Sequence, residues 1–186
     1  MKGFLPFLIA LFLSFSARAA SVNLTQEARA AAACPDPSTG VPLLRARYKI
    51  SGAHFYTTNA TCMAQLATST WGREGTAGIV FPTAALSTVP MYASYHQQET
   101  TLPLDWYYTT SVSDEATWDK SKNYVDEGVY AHVFSNAGCG GVPFYTLWDP
   151  YNQVHLFTAD ENERKSATSM NGGYIEMGIA GYILQL

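Results

Sequence analysis

A threefold internal repeat is the feature of this 186-residue sequence that most restricts its fold. Each copy begins with a Val-Pro pair, at Val41, Val89 and Val142. It continues through an aromatic segment that ends in Thr, and it closes with an aromatic residue four positions before a glycine. This spacing delimits repeats 41–82, 89–134 and 142–186. We therefore predict one domain, residues 41–186, built from three equivalent units.

The residue pattern inside each repeat predicts strands interrupted by one short helix. The Val-Pro segment and the aromatic-Thr segment are rich in aromatic and β-branched residues, which favours a hairpin. Asn59, Ser111 and Asp160 follow at equivalent positions, and each is a good helix N-cap. Asp160 is followed three residues later by Glu163, the pattern of a capping box. The segment around Glu74-Gly75 and its equivalents is interpreted as a second hairpin, with the glycine at a turn or bulge.

These elements predict an all-β fold with short helices. Four strands in each of three repeats give twelve strands, the number found in a β-trefoil. In a β-trefoil-like arrangement the hairpins also close on one another, so that no sheet edge stays open. The alternative is a propeller-like ring of three repeats, although propellers usually have at least four blades.

The first twenty residues have the pattern of a secretory signal peptide. Lys2 supplies the positive charge, residues 4–15 the apolar run, and Ala17-Arg18-Ala19 the cleavage pattern. The apolar run is shorter than the roughly 20 residues of a transmembrane helix. We therefore expect a secreted, extracellular protein with no membrane span, in which residues 21–40 form a flexible tether.

Extracellular modifications fit this expectation. Asn23 and Asn59 begin Asn-x-Thr sequons and are candidate glycosylation sites. Cys34 and Cys139 both stand just before a Val-Pro pair, so the repeat favours a disulfide between them. Pairing of Cys62 with either of these cysteines is the alternative that the sequence leaves open.

The repeat motifs resemble a family of secreted repeat proteins of unknown function from fungi and bacteria. Repeats of that family read approximately Val-Pro-Leu-Tyr-Arg-x-Tyr, then Asp-His-Phe-Tyr-Thr-Thr, then Tyr-x-x-Glu-Gly-x-Ala-Gly-Tyr-Val. The resemblance covers nearly all of residues 41–186. Three positions depart from it, because Trp106 replaces the histidine, Arg47 replaces a tyrosine of the first strand and Met177 replaces the glutamate. The resemblance implies an extracellular module and provides no catalytic residue.

The residue types argue against an enzyme, a metal protein and a nucleic-acid-binding protein. The formal charge of −4 and the 14% of charged residues offer no basic surface for nucleic acid. No nucleophile elbow, metal-binding helix or phosphate-binding loop is present in the sequence. Glu74 and Glu127 recur with the repeat and are interpreted as structural residues. We therefore expect no catalytic residue, no metal and no cofactor.

The aromatic-Thr segments supply the candidate ligand-binding residues. Alternation along a strand places one set of side chains on each face. If the set that contains His54 and Tyr56 is exposed, each repeat offers a flat aromatic ring beside polar groups, an arrangement that suits sugars. If it is buried, the same side chains form the core. The set consists of His54, Tyr56, Trp106, Tyr108, His155 and Phe157.

The function expected from these observations is a secreted, monomeric, non-enzymatic binding module for a glycan or cell-wall polymer. One alternative is a secreted protein-binding module, an inhibitor or effector, that uses the inserted segment 96–103. Another is an extracellular hydrolase whose catalytic residues no motif reveals.

Overall fold

The computed structural model describes residues 34–66, 70–96, 105–121 and 124–186, with backbone alone at 116 and 118–121. The predicted signal peptide, the sequon at Asn23 and nearly all of the inserted segment lie outside the described residues. Residues 35–186 belong to one compact unit of the chain. The described end of the predicted tether contains a 3-10 helix, Pro37–Thr39, capped by the Asp36 side chain.

The described chain is mostly β, with nine strands and three α-helices. The strands are β1 (Val41–Tyr48), β2 (His54–Thr57), β3 (Trp71–Val80), β4 (Thr88–His96), β5 (Asp105–Thr109), β6 (Tyr124–Phe134), β7 (Val142–Asp149), β8 (Val154–Thr158) and β9 (Ile175–Ile183). The helices are α1 (Ala60–Leu66), α2 (Val112–Ser121) and α3 (Glu161–Thr168). A second 3-10 helix spans Gly138–Gly140.

Three consecutive strands form each of three antiparallel units, and the first strand of each is central. The orders are β2-β1-β3 in unit 1, β5-β4-β6 in unit 2 and β8-β7-β9 in unit 3. Units 2 and 3 join through β6 and β9 into one six-stranded sheet, which curls into a half-barrel. Single bridges link the third strands of all three units: Ile79 to Leu184, Phe81 to His132 and Phe134 to Tyr182.

The closing segment of each unit is one long strand rather than the predicted second hairpin. Gly75, Gly128 and Gly178 have φ of 98°, 74° and 127°. Glycine adopts these positive φ values readily. In all three units, shifts in the pairing register between the first and third strands flank this glycine. The bulge lets the chain absorb an extra residue and continue along the central strand. The described residues therefore contain nine strands, not the twelve expected for a β-trefoil.

Each helix begins with the predicted cap. The Asn59 Oδ1 accepts hydrogen bonds from the N–H groups of Thr61 and Cys62 at 2.9 and 3.0 Å. Ser111 caps α2 and Asp160 caps α3 through bonds to residues in their first turns. The capping-box expectation is wrong in one respect. The Asp160 N–H donates to the Thr158 Oγ1, and the Glu163 carboxylate binds Arg45 instead.

The threonine of each aromatic-Thr segment fixes the turn into the helix. In every unit its hydroxyl oxygen accepts a hydrogen bond of 3.0 Å from the N–H of the cap residue. These threonines, Thr57, Thr109 and Thr158, are buried. The hydroxyl oxygen accepts from a backbone N–H group that would otherwise be shielded from water without a hydrogen-bond partner. Threonine therefore suits this position better than a purely apolar residue.

The core lies where β2, β5 and β8 meet. Tyr56, Tyr108 and Phe157, one from each unit, pack edge to face with ring centroids 5.3–5.9 Å apart. All three are at most 1% exposed. Aromatic pairs in this geometry contribute about 0.5–1.5 kcal/mol beyond the burial of their area, so this triad is the centre of the hydrophobic core.

The disulfide prediction is confirmed. Cys34 and Cys139 are disulfide-bonded, and Cys62 is a half-buried free thiol. In addition, no helix in the described part of the chain is long and apolar enough to cross a membrane.

Candidate functional site

The aromatic set that was considered for ligand binding lies mostly in the core. His54 is 4% exposed, and Tyr56, Tyr108, His155 and Phe157 are at most 1% exposed. Trp106 is half-buried. The reason is that β2, β5 and β8 pack against one another, so this face of each strand points at the other units. These five side chains therefore do not form the exposed platform that sugar binding would require.

A charged cluster lies instead between units 1 and 3, around Arg45 of β1. The Arg45 Nε is 2.8 Å from the Glu74 Oε2 of β3. The two terminal nitrogens of Arg45 donate to both oxygens of Glu163 in α3, at 2.7 and 2.8 Å. The Arg45 side chain is 14% exposed, whereas those of Glu74 and Glu163 are 27% and 31% exposed. A largely buried cation therefore holds two carboxylates that still reach solvent.

His54 of β2 extends this cluster. Its Nε2 is 3.4 Å from the Glu74 Oε2, and its Nδ1 has no hydrogen-bond partner among the described residues. Burial, reinforced by the positive charges of Arg45 and Arg47, lowers the pKa of His54 to about 4. The imidazole is therefore neutral at the pH of most extracellular fluids, with Nε2 placed to donate to Glu74.

An open cleft of about 340 Å³ lies beside the cluster. Its charged and polar lining residues are Arg47, His54, Glu74, Glu163, Ser166 and Tyr174, and Leu156, Ala167 and Gly172 complete it. Arg47 is exposed and forms no salt bridge within the described residues. The volume is within the range of ligand pockets, about 300–1,000 Å³.

Two groups in the cleft have pKa values that fix their protonation states. Burial favours protonation of Glu163, but hydrogen bonds from Arg45 and Thr158 outweigh it and hold the pKa of this carboxyl below its ordinary value. Burial, together with the charge of Asp149, raises the pKa of Tyr174 to about 12. Near neutral pH the cleft thus presents an ionised carboxylate and a neutral phenol.

The contact between units 1 and 2 is filled with aromatic rings. Trp106 occupies the position in unit 2 that His54 occupies in unit 1. Its ring centroid is 5.0 Å from that of Phe55 and 6.1 Å from that of Trp71. Ala93 stands where Arg45 would be, so Glu127, the counterpart of Glu74, has no such cation, and burial raises its pKa. This position is packed rather than charged.

The contact between units 2 and 3 holds a buried hydrogen-bond network. The Asp105 carboxylate accepts from the His155 backbone N–H at 2.7 Å and lies 2.6 Å from its Nδ1. The Tyr124 hydroxyl donates to the same carboxylate. The Trp148 ring centroid is 4.5 Å from that of His155. With His155 fully buried, this network resembles a catalytic dyad in composition but has no access to a substrate.

Comparison with known protein families gives a match to one described as "Domain of unknown function (DUF5648)". It covers residues 16–134 and, in a second overlapping alignment, residues 42–184. The chain belongs to the DUF5648 family. Neither curated proteins nor solved structures provide a match to this DUF5648 protein.

Most of the cleft was not predicted from the sequence. Arg47 was a departure from a tyrosine, Glu74 was interpreted as a structural residue, and Glu163 was expected to act in a capping box. The signal in the sequence was the spacing of Arg45 and Arg47. These residues are two positions apart on β1, so both side chains share one face. What no pattern in the sequence showed was that α3 of unit 3 lies against this face. No group of three or more histidine, cysteine or acidic side chains with metal-binding geometry occurs in the described ranges.

Asn59, the second predicted glycosylation site, is exposed at the start of α1. Its Oδ1 accepts two backbone hydrogen bonds. Those contacts use the oxygen and leave the amide nitrogen, the atom that glycosylation modifies, directed elsewhere. Glycosylation of Asn59 stays a prediction, and it is compatible with the cap.

Proposed function

We propose that this protein is a secreted, non-catalytic module that binds an extracellular glycan or cell-wall polymer through the cleft between units 1 and 3. The Cys34–Cys139 disulfide supports the compartment, since disulfides persist mainly in oxidising environments. The signal-peptide pattern of residues 1–20 supports it independently. The observation that carries the proposal is the open cleft, in which donors, acceptors and a tyrosine ring converge.

The carboxylates of the cleft suit binding better than glycoside hydrolysis. A glycosidase needs one carboxylic acid whose pKa is raised so that it can protonate the leaving group. The hydrogen bonds from Arg45 do the opposite to Glu163, because they stabilise the ionised form. Arg45 also contacts Glu74 at 2.8 Å. Both carboxylates are therefore arranged as hydrogen-bond acceptors.

The proposal includes a pseudo-threefold arrangement of the three units around the Tyr56–Tyr108–Phe157 triad. Three observations support it: the strand orders are equivalent, the bulges recur at equivalent positions, and single bridges connect the three closing strands. Under this arrangement the three positions between units correspond to one another. One holds the cleft, one is filled by rings and one by the Asp105 network, so we propose one binding site per chain and no avidity from repeated sites.

Binding to a panel of insoluble cell-wall polysaccharides and soluble oligosaccharides tests the proposal. Arg47→Ala should weaken retention at least tenfold. It removes a guanidinium group that forms no salt bridge with the described residues of the cleft and is therefore available to a ligand. Arg73→Ala is the matched control, since Arg73 is an exposed arginine on the neighbouring strand β3 and does not line the cleft. A wild-type protein that binds no member of the panel, at pH 5 or pH 7, contradicts the proposal.

A protein-binding role is the second candidate, and an exposed apolar row on β9 favours it. Ile175, Met177 and Ile179 are 46–53% exposed and lie within five residues of one another. Such patches often mark protein interaction sites. The double substitution Ile175→Ser and Ile179→Ser should abolish a protein interaction while leaving glycan binding intact, so pull-down with each variant separates the two roles.

A further inference from the structure

The charges of the cleft and of the arginine bound to its carboxylates cancel, and this balance restricts the class of ligand. Arg47, Glu74 and Glu163 line the cleft and together carry one negative charge in excess. Arg45, which does not line the cleft but binds both carboxylates, neutralises that excess. His54 adds none above about pH 4, the value to which burial lowers its pKa. A site for an acidic sugar or a phosphate would be expected to carry a surplus of cations. This cleft has no surplus, so it offers no electrostatic preference for an ion.

The hydrogen-bonding groups in the cleft include both donors and acceptors. Arg47 and the Tyr174 hydroxyl can donate, whereas the carboxylates of Glu74 and Glu163 accept. The carboxylates are held by Arg45 at 2.7–2.8 Å before any ligand arrives. Fixing them in advance reduces the loss of side-chain entropy that binding would otherwise cost. Hydroxyl groups, which both donate and accept, match such a mixed lining.

The remaining lining is apolar and aromatic. Ala167 and the largely buried Leu156 supply the aliphatic lining, and Tyr174 offers a half-buried ring. An aromatic ring suits the C–H face of a pyranose, which is flat and apolar, while the hydroxyl groups at the edge meet the polar side chains. The cleft is also open to solvent, which allows a chain to continue beyond the residue that it holds.

We propose that the cleft binds an uncharged sugar residue within a neutral polysaccharide chain, and that it discriminates against uronic acids and phosphorylated sugars. This inference rests on the proposed glycan-binding function and specifies its substrate class. The Glu74 and Glu163 carboxylates accept sugar hydroxyls, Arg47 donates to a hydroxyl or ring oxygen, and Tyr174 packs against the ring face.

The test compares neutral polymers (β-1,3-glucan, cellulose, mannan and chitin) with acidic ones (polygalacturonate and alginate), each at 50 mM and 500 mM NaCl. We expect binding to at least one neutral polymer that changes less than twofold with salt, because screening weakens only ionic attraction. Glu74→Gln should weaken that binding at least fivefold, and Tyr174→Leu should also weaken it, because it removes both the ring face and the hydroxyl donor. Arg73→Ala should leave it unchanged. Circular dichroism melts of each variant identify any loss caused by unfolding.

The outcomes distinguish failure of the neutral-ligand inference from failure of the proposed glycan-binding function. Binding confined to acidic polymers and lost at 500 mM NaCl overturns the neutral-ligand inference and leaves the glycan-binding function standing. Neutral binding that Glu74→Gln, Tyr174→Leu and Arg47→Ala all leave intact, with the fold preserved, overturns the assignment to this cleft. Absence of binding to every polymer overturns the proposed function itself.

Discussion

The Tyr56 hydroxyl satisfies both backbone polar groups of Phe157. It donates to the Phe157 carbonyl oxygen at 2.5 Å and accepts from the Phe157 N–H at 2.9 Å. The Tyr108 hydroxyl makes the same pair of contacts with the backbone of Tyr56, at 3.3 Å each. Phe157, at the equivalent place in unit 3, has no hydroxyl. Two of the three ring positions thus connect one unit to the next through a single oxygen atom.

Tyr56→Phe should lower the free energy of unfolding by about 1–3 kcal/mol. The variant keeps the ring but leaves the buried N–H and carbonyl groups of Phe157 without that hydroxyl, and unsatisfied buried groups carry a cost of this size. Tyr108→Phe is the matched control and should cost less, because its bonds are longer and the Tyr130 hydroxyl also donates to the Tyr56 carbonyl. Urea unfolding of both variants measures the difference. Equal losses would contradict the proposed role of the Tyr56 hydroxyl.

The stability of the protein should fall as pH decreases from about 6.5 to about 4. Burial, with the charges of Arg45 and Arg47, lowers the pKa of His54 from 6.5 to about 4 in the folded state. Between these values the unfolded chain binds a proton that the folded chain rejects, so the loss reaches about 3 kcal/mol at the lower limit. His54→Gln should flatten this dependence. Between pH 6.5 and 4.5 the lowered pKa of Glu163 contributes little, and an unchanged slope in that interval would contradict the role given to His54.

Gly128→Val should destabilise the protein by about 1–3 kcal/mol through backbone strain alone. Gly128 has a φ of +74°, and no heavy atom lies within 4 Å of the position that a Cβ would occupy. A valine would fit in space but not in this conformation. Gly128→Asn is the control, because asparagine tolerates the left-handed region better. Thermal melts should rank wild type above Asn and Asn above Val, and a valine variant as stable as wild type would argue against the bulge.

Val154→Asp should raise the pKa of His54 above about 4. In the proposed cyclic arrangement, Val154 of unit 3 lies relative to His54 as Asp105 of unit 2 lies relative to His155, whose Nδ1 it contacts at 2.6 Å. The Nδ1 of His54 has no partner among the described residues. An aspartate at 154 would supply an acceptor and a negative charge. Val154→Asn supplies the acceptor without the charge and should raise the pKa less.

NMR titration of the His54 ring measures both variants. A His54 pKa that is unchanged in a folded Val154→Asp protein would contradict the cyclic correspondence between units, independently of any result on ligand binding.

Local structure was predictable from the sequence where short-range chemistry decides it. The caps at Asn59 and Asp160 and the bulge at Gly128 follow from which residues suit a helix start or a positive φ. The Cys34–Cys139 pairing followed from the positions of these cysteines in the repeat. The closing strand was mistaken for a hairpin because a glycine beside an acidic residue indicates a turn and a bulge equally well.

The cleft was not predictable because it depends on long-range packing. Arg45 and Glu163 are 118 residues apart, and nothing in either repeat indicates that they meet. The burial of His54 and Tyr56 also follows from the meeting of three units rather than from alternation along β2. Alternation distinguishes the two faces of a strand, but it does not say which face the rest of the chain covers.

The aromatic filling of the position between units 1 and 2 has a consequence for engineering. If the units are equivalent, that position is a closed version of the cleft, and its scaffold already contains Glu127. Trp106→His, Ala93→Arg and Cys62→Glu together would install counterparts of His54, Arg45 and Glu163. A chain built this way would carry two charged clusters on one rigid frame, which would make the protein bivalent for the ligand proposed for the cleft.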